Sequence, residues 1–381
     1  MSQETDLTNE FKPTRKFKIF GGRNQILCNG RCMTSHQPAV LIMTFFLLII
    51  VAILFFSFDA RYLAIRLNPV IVIPPIISIA YMVIFLLKSA CIDPGIIPKP
   101  MPDEIVYFEL KNPPPPKGHS PQWATEYFGN EITLKQCTTC KLYKPPRTSH
   151  CSTCNVCIEN FDHHCPWVGN CVAKRNYRYF YLFGFTTLFT CIYVSGCNIL
   201  NVVLTATDPG NGILDGLKVA AASLVQFAIT GFVLWSLIGL VGYHTLLIAQ
   251  AKTTNEAIKK TYRNRRNPYC HANIFVNFCN ILCGPFFPSL LANRKFLTPE
   301  EFEFYYGRGV KTYGMQNPFL LMMKPPTVEN LIPEAYPRQE PTQPVESSDE
   351  NNDTTNEVKP LTASKLLSSA TPLLDDTIVS S

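Results

Sequence analysis

Residues 161 to 171 read FDHHCPWVGNC, and three consecutive side chains there, His163, His164 and Cys165, are types that bind metal or do covalent chemistry. They cannot all ligate one zinc ion without strain, so a division of labour is expected. The neighbouring sequence frames it. CTTC occupies 137 to 140, HCSTCNVC occupies 150 to 157, and Cys171 closes the run, which places seven of the 15 cysteines within 35 residues. With His150, His163 and His164 the cluster offers ten donors. Two closed sites of four ligands each use all but two of them. The most economical division leaves Cys165 and His163, a thiol beside an imidazole, which is the pair a sulfur nucleophile needs. An extended backbone over 163 to 165 puts His163 and Cys165 on one face and turns His164 the other way, towards a metal. Pro166 favours that geometry, because the residue before a proline is pushed towards extended conformations. Strict alternation sets Asp162 opposite His163, so a local turn must bring its carboxylate round if it is to orient the imidazole.

Which chemistry the thiols perform depends on the elements that position them. The chain is 47% hydrophobic and 16% charged, against about 25% charged in a soluble domain. A membrane-spanning helix needs about 20 mostly apolar residues. Four stretches qualify, at 39–58, 69–87, 179–206 and within the charge-free run 219–251. Pro74 and Pro75 in the second are expected to kink it, which a bundle tolerates. Basic residues collect in the arm 1–38, in the segment between spans two and three, and after span four, whereas the two remaining loops are short. By the positive-inside rule both termini and the long middle segment face the cytosol, a compartment that keeps thiols reduced and makes dense cysteines metal-binding or catalytic. The expected fold is therefore an α-helical integral membrane protein, a four-helix transmembrane bundle with a cytosolic zinc-bound cysteine-rich domain at 135–178. The other parts are a Pro-rich connector at 88–134, a juxtamembrane segment at 252–324, and a tail at 325–381 whose polar composition reads as solvated.

At this point the spacing leaves three classes open. One is a thiol enzyme. Another is a zinc-bound interaction module such as a RING-type ubiquitin ligase, although RING ligands usually close with a second CxxC pair and here PWVGN separates Cys165 from Cys171. A transporter is the weakest, because the predicted spans carry almost no ionisable residues. The mild net charge of +6 gives no reason to expect nucleic-acid binding.

The block CTTCKLYKPPRTSHCSTCNVCIENFDHHCPWVGNCVAKRNYRYF resembles the cysteine-rich domain of the DHHC protein S-acyltransferases, and it lies between spans two and three as in that family. DPG at Asp93 to Gly95 and TTNE at Thr253 to Glu256 match two further motifs, and NPYCHANIFVNF at 267 to 278 looks like a third, with Asn273 in the supporting role. The match looks closest to a Golgi and endoplasmic-reticulum subgroup that works with a small golgin-related accessory subunit. That subgroup has CCxxxC after span four; here FCNILC keeps Cys279 and Cys283 but has Phe278 at the first position. The resemblance implies one zinc on Cys137, Cys140, His150 and Cys157 and another on Cys151, Cys154, His164 and Cys171, both structural. It also implies that Thr254 contacts Asp162, a residue that by itself reads as the end of a helix.

The expected reaction is transfer of palmitate from palmitoyl-CoA to Cys165, with His163 accepting the thiol proton and Asp162 holding the imidazole. Transfer then follows to cysteines of membrane-associated proteins on the cytosolic side. Trp167, Phe180 and Phe183 are candidates to line an acyl cavity, or equally to face lipid or core. Lys144 and Arg147 are candidates for the CoA phosphates. His244 reads as a helix-packing residue, and Cys191 and Cys197 as small apolar fillers.

Overall fold

The computed structural model describes residues 14–297 apart from 101–104, 106–121, 128–129, 209, 211, 265 and 292. The tail expected at 325–381 and much of the connector lie outside the described residues. Among the described residues, four helices are long and apolar enough to cross a membrane: α1 (Ala39–Arg66), α2 (Pro69–Cys91), α3 (Tyr177–Ala206) and, after a short α4 (Ile213–Val219), α5 (Ala221–Ala249). All four exceed the ~30 Å hydrocarbon core at a rise of ~1.5 Å per residue.

Two expectations change here. Pro74 and Pro75 do not kink a span. They sit in the first turn of its α-helical part, behind a 3₁₀ turn capped by Asn68, whose Oδ1 accepts from Val70 N at 2.9 Å. A missing N–H costs nothing at that position. The first span does not stop near Phe58 but passes through a π-helical stretch, Phe55–Ala60, to Arg66. Asp59 is consequently a fully buried residue of the bundle rather than a loop residue. Asn201 Nδ2 donates to its Oδ1 at 3.0 Å and to Ser223 Oγ at 3.0 Å, which ties α1 to α3 and α5.

The central helix is α3, packed on α2 and α5. Its buried face carries small or polar residues, among them Gly184, Thr187, Thr190, Ser195 and Asn198. Such residues let helices approach closely and bond across the gap. A side chain at Gly184 would touch Val241 at 3.4 Å. Thr190 Oγ1 donates to Ser78 Oγ at 3.0 Å, and Ser195 shares a hydrogen bond with Thr230 at 2.9 Å.

The cysteine-rich region is built from short antiparallel hairpins. After β1 (Gln25–Leu27) and β2 (Cys32–Thr34) in the arm, and β3 (Gln122–Tyr127) with β4 (Asn130–Lys135), come β5 (Ser149–Cys151) with β6 (Val156–Ile158) and β7 (His163–Cys165) with β8 (Asn170–Val172). Strands of three residues cannot hold a core themselves, so the fold depends on what staples them. Part of the staple is polar contact with the spans. Asn170 Nδ2 donates to the carbonyls of Met33, Ala90 and Ile92, each at 3.0 Å, which joins β8, the arm and the end of α2. Asp93 makes the turn expected after span two. Its Oδ1 accepts from Gly95 N and Ile96 N at 3.0 Å, and its Oδ2 pairs with Arg175 at 3.0 Å. The arm is folded against the same domain: Arg23 N donates to Cys154 O at 2.8 Å, and Met33 is buried with Ile96, Val156 and Ile158.

Candidate active site and metal centres

The hairpin registers sort the donors. In β7–β8, His164 faces Cys171 and Cys165 faces Asn170; in β5–β6, His150 faces Cys157. Each of the two pairs of ligands meets a CxxC pair, giving the groups Cys137, Cys140, His150, Cys157 and Cys151, Cys154, His164, Cys171, whose donor atoms lie within 4.8 Å of one another. Zinc–sulfur and zinc–nitrogen bonds of about 2.3 and 2.0 Å set tetrahedron edges of roughly 3.5–3.8 Å. The separations match: Cys154 Sγ to Cys171 Sγ is 3.5 Å, Cys154 Sγ to His164 Nδ1 3.5 Å, and Cys140 Sγ to His150 Nδ1 3.4 Å. Both groups fit a four-coordinate ion of the zinc type, with every corner taken by protein and none left for water.

Cys165 belongs to neither group. It is buried in the cluster that joins the hairpins to the bundle, with Leu86, Val168, Val172, Phe180, Val241 and Ile248. His163 lies on the same face of β7 as Cys165, as alternation predicts. The turn that the alternation required is present: β7 starts at His163, and Asp162 just outside it reaches His163 Nδ1 with Oδ2 at 2.7 Å, leaving Nε2 for the thiol. Burial alone lowers the His163 pKa, but the hydrogen-bonded Asp162 carboxylate and the neighbouring Cys165 sulfur outweigh it and raise the pKa to about 9. Burial acts to raise the Asp162 pKa, and the hydrogen bonds from His163 and Thr254 hold it below the usual carboxylate range instead.

Thr254 starts a short helix, α6 (Thr254–Ile258), and donates to both oxygens of Asp162, from N to Oδ1 and from Oγ1 to Oδ2, each at 2.7 Å. It is therefore both a helix-end residue and a partner of the aspartate. The preceding Thr253 caps α6 in a reciprocal capping box with Glu256. Glu256 also takes up Arg147. Nε and Nη2 of Arg147 donate to Oε1 and Oε2 at 2.7 Å, Nη2 donates to Ala251 O at 3.0 Å, and the guanidinium stacks on Tyr269. The arginine expected at the CoA phosphates is thus engaged inward, because a buried carboxylate claims its planar fork. Lys144 is half-buried and lies near Lys259, a neighbour the sequence reading missed; burial and Lys144 together lower the Lys259 pKa.

Phe180 is buried, with its ring edge-on to His163 at 5.1 Å, and Phe183 packs at the margin of the same cluster. Trp167 is 51% exposed; its carbonyl, not its ring, is tied in, accepting from Thr44 Oγ1 at 3.0 Å. Asn273 is exposed and caps α7 (Ile274–Phe278) by accepting from Phe275 N at 2.9 Å. Asn277 of that motif is buried and donates to Ala249 O at 2.9 Å and His271 O at 3.0 Å and accepts from His271 N at 2.8 Å. Asn267, the first residue of the motif, is buried as well and donates to Gln250 O at 2.9 Å and Ala251 O at 3.2 Å, so spacing alone did not separate the three asparagines. His244 is also more than a packing residue. It comes within reach of Asp162 and His163, bonds Tyr177 Oη at 3.0 Å and meets Phe180 edge-on.

A family profile described as DHHC palmitoyltransferase matches residues 130–261. Palmitoyltransferase ZDHHC9 of Homo sapiens is 44% identical over 300 residues, covering 76% of this chain and 82% of that protein. Palmitoyltransferase ZDHHC14 of Mus musculus is 42% identical over 298 residues, covering 75% and 60%, and Palmitoyltransferase ZDHHC18-A of Danio rerio is 42% identical over 296 residues, covering 75% and 63%. The chain belongs to the DHHC palmitoyltransferase family. It is a protein S-acyltransferase, and the two closed Cys/His groups and the four apolar helices are those of an integral membrane member of that family.

Proposed function

We propose that Cys165 is the sulfur through which this acyltransferase passes palmitate from palmitoyl-CoA to protein cysteines. The supporting observation is that one thiol of the cluster stands outside both metal groups, two residues along the same strand from an imidazole already held by a carboxylate. His163, with its raised affinity for a proton, takes the thiol proton as Cys165 attacks the thioester carbonyl. The carbon–sulfur bond to CoA breaks, and the same proton passes to the departing CoA sulfur. In the second half-reaction a thiol of the target protein attacks the acyl-Cys165 thioester and gives its proton back through His163. One thioester replaces another in each half, so no further energy source is called for. Asp162, fixed by Thr254, holds the imidazole in the tautomer that faces sulfur. The metal ions, which we take to be zinc, lock the hairpins; no step passes through them.

Lys144 and Lys259 are the proposed contacts for the CoA phosphates, since two neighbouring cations of this kind favour an anion between them. Phe180 and Phe183, next to Cys165, are proposed to line the path of the acyl chain, whose burial is worth about 0.8 kcal/mol per methylene. We place the hairpins, both termini and the target cysteines on the cytosolic side, from the basic residues that flank the helices there. We place the enzyme in the Golgi or endoplasmic reticulum, acting on membrane-associated proteins with a small golgin-related accessory subunit, by analogy with the subgroup it resembles. The domain limits read from the sequence, with the cysteine-rich unit at 135–178, are part of the same proposal.

The test is incubation of the purified chain with labelled palmitoyl-CoA. The expected result is a hydroxylamine-labile label that Cys165→Ala removes while metal content stays unchanged. Loss of a metal ion from that variant, together with an unlabelled wild type, would sink the assignment.

A further inference from the structure

The arm and the segment after α7 build a cavity that the acyl-transfer site does not use. It has a volume of about 460 Å³ and is lined by Arg15, Arg31 and Arg294 together with Cys28 and Asn29. The three arginines come from three separate stretches of chain. Arg15 and Arg294 sit on neighbouring antiparallel stretches, joined where Lys16 N donates to Lys295 O at 2.9 Å, Phe17 N to Asn293 O at 3.2 Å and Leu297 N to Thr14 O at 2.8 Å. Arg31 arrives on the tip of the β1–β2 hairpin, where Cys28, Asn29 and Gly30 all take positive φ, at 50°, 61° and 89°. That tip presses on the same stretch so closely that a side chain at Gly30 would meet Arg294 Cγ at 3.2 Å and Asn293 O at 3.4 Å. The Arg15 guanidinium lies over the Phe296 ring, 5.2 Å from its centroid. Among the described residues, none of the three arginines forms an ion pair.

Three unneutralised guanidinium groups around one space repel one another, and a compact anion would relieve that repulsion. We propose that this cavity binds a phosphomonoester carried on the headgroup of a membrane lipid. A phosphomonoester carries about −1.5 to −2 charges and three strong acceptor oxygens. Planar guanidinium forks are the groups best shaped to take such oxygens in pairs. The position of the cavity points to lipid as the source. The hairpin leads from β2, which ends at Thr34, straight into α1 at Ala39, and Asn170 Nδ2 joins Met33 O of β2 to Ala90 O at the end of α2, each at 3.0 Å. The hairpin is thus pinned where two spans leave the bilayer. Leu27 beside its tip and Phe286 and Phe296 on the facing segment are exposed, as apolar residues at a headgroup boundary are. A lipid held there would link the arm to the segment after the last span.

The proposal separates a shaped site from diffuse attraction, because diffuse attraction follows charge and not headgroup chemistry. Three probes are titrated against the full chain in detergent: dioctanoyl phosphatidic acid, dioctanoyl phosphatidylserine and glycerol phosphate. Phosphatidic acid is expected to bind about tenfold or more tightly than phosphatidylserine, and Arg31→Gln with Arg294→Gln is expected to remove that preference, the order of effect for losing charge-assisted hydrogen bonds. An unchanged melting midpoint shows that the double variant is folded; Arg31→Lys with Arg294→Lys, which keeps the charge and loses the fork, is expected to bind at an intermediate level. Equal binding of the two lipids, or a double variant that still prefers phosphatidic acid, overturns the site. Binding of glycerol phosphate as tight as that of phosphatidic acid overturns the lipid as its source.

Discussion

Asp162 receives three hydrogen bonds at 2.7 Å, one from His163 and two from Thr254, and is almost wholly buried. Its carboxylate is therefore spoken for from two directions, and the imidazole it holds has one nitrogen left. Replacing His163 with Ala removes the proposed proton acceptor and is expected to slow self-acylation by about 10²–10⁴-fold, the range typical of a general base, measured by single-turnover labelling. Thr254→Val keeps the shape of the threonine and its backbone donor but deletes one bond to Asp162. It is expected to lower the rate by less than His163→Ala does, with metal content unchanged, as read in the same assay. The thiol and its imidazole were legible in the sequence because they are neighbours in one strand, where alternation alone decides who faces whom. His244 was not, because its place beside His163 depends on how α5 packs on α3, which no local pattern encodes.

Between elements, the polar ties carry the specificity. The Arg147–Glu256 pair links the loop before β5 to α6, with side chains 14% and 5% exposed. Truncating one member of a buried pair leaves the other charge without a partner, at a cost of about 3–5 kcal/mol. Arg147→Ala is therefore expected to lower the thermal midpoint in detergent clearly, whereas Lys144→Ala, on a half-buried lysine with no such pair, is expected to leave it near the wild-type value. Asn170 plays a comparable part with three carbonyls from two other segments. The sequence motifs marked where these ties would fall but not which residue would make them. NPYCHANIFVNF holds three asparagines, and the structure gives them different places: Asn273 caps α7, Asn277, one turn on, donates to Ala249 O of α5, and Asn267 donates to Gln250 O and Ala251 O.

At the scale of the whole molecule, four spans were legible from hydropathy because apolar runs of that length have few other uses. Their ends were not. A window on hydropathy stops at the first charge, so Asp59, which is satisfied inside the bundle by Asn201, was placed outside it. The hairpins are too short to fold on apolar burial alone, so their stability is expected to come largely from metal. A strong chelator at mild temperature is expected to unfold the region 135–178 and abolish self-acylation, while the helical signal of the spans persists in far-ultraviolet circular dichroism. Loss of activity with full protection of that region in hydrogen exchange would contradict this account.

One consequence follows from Cys165 sharing a cluster with Leu86 of α2 and Val241 and Ile248 of α5. The sulfur proposed to carry the acyl group is bolted at a fixed height relative to the bundle, as a mark on a gauge. An incoming thiol must therefore come to that height, whatever residues surround it. On the proposed mechanism, a tether a few residues longer or shorter is expected to switch a client on or off.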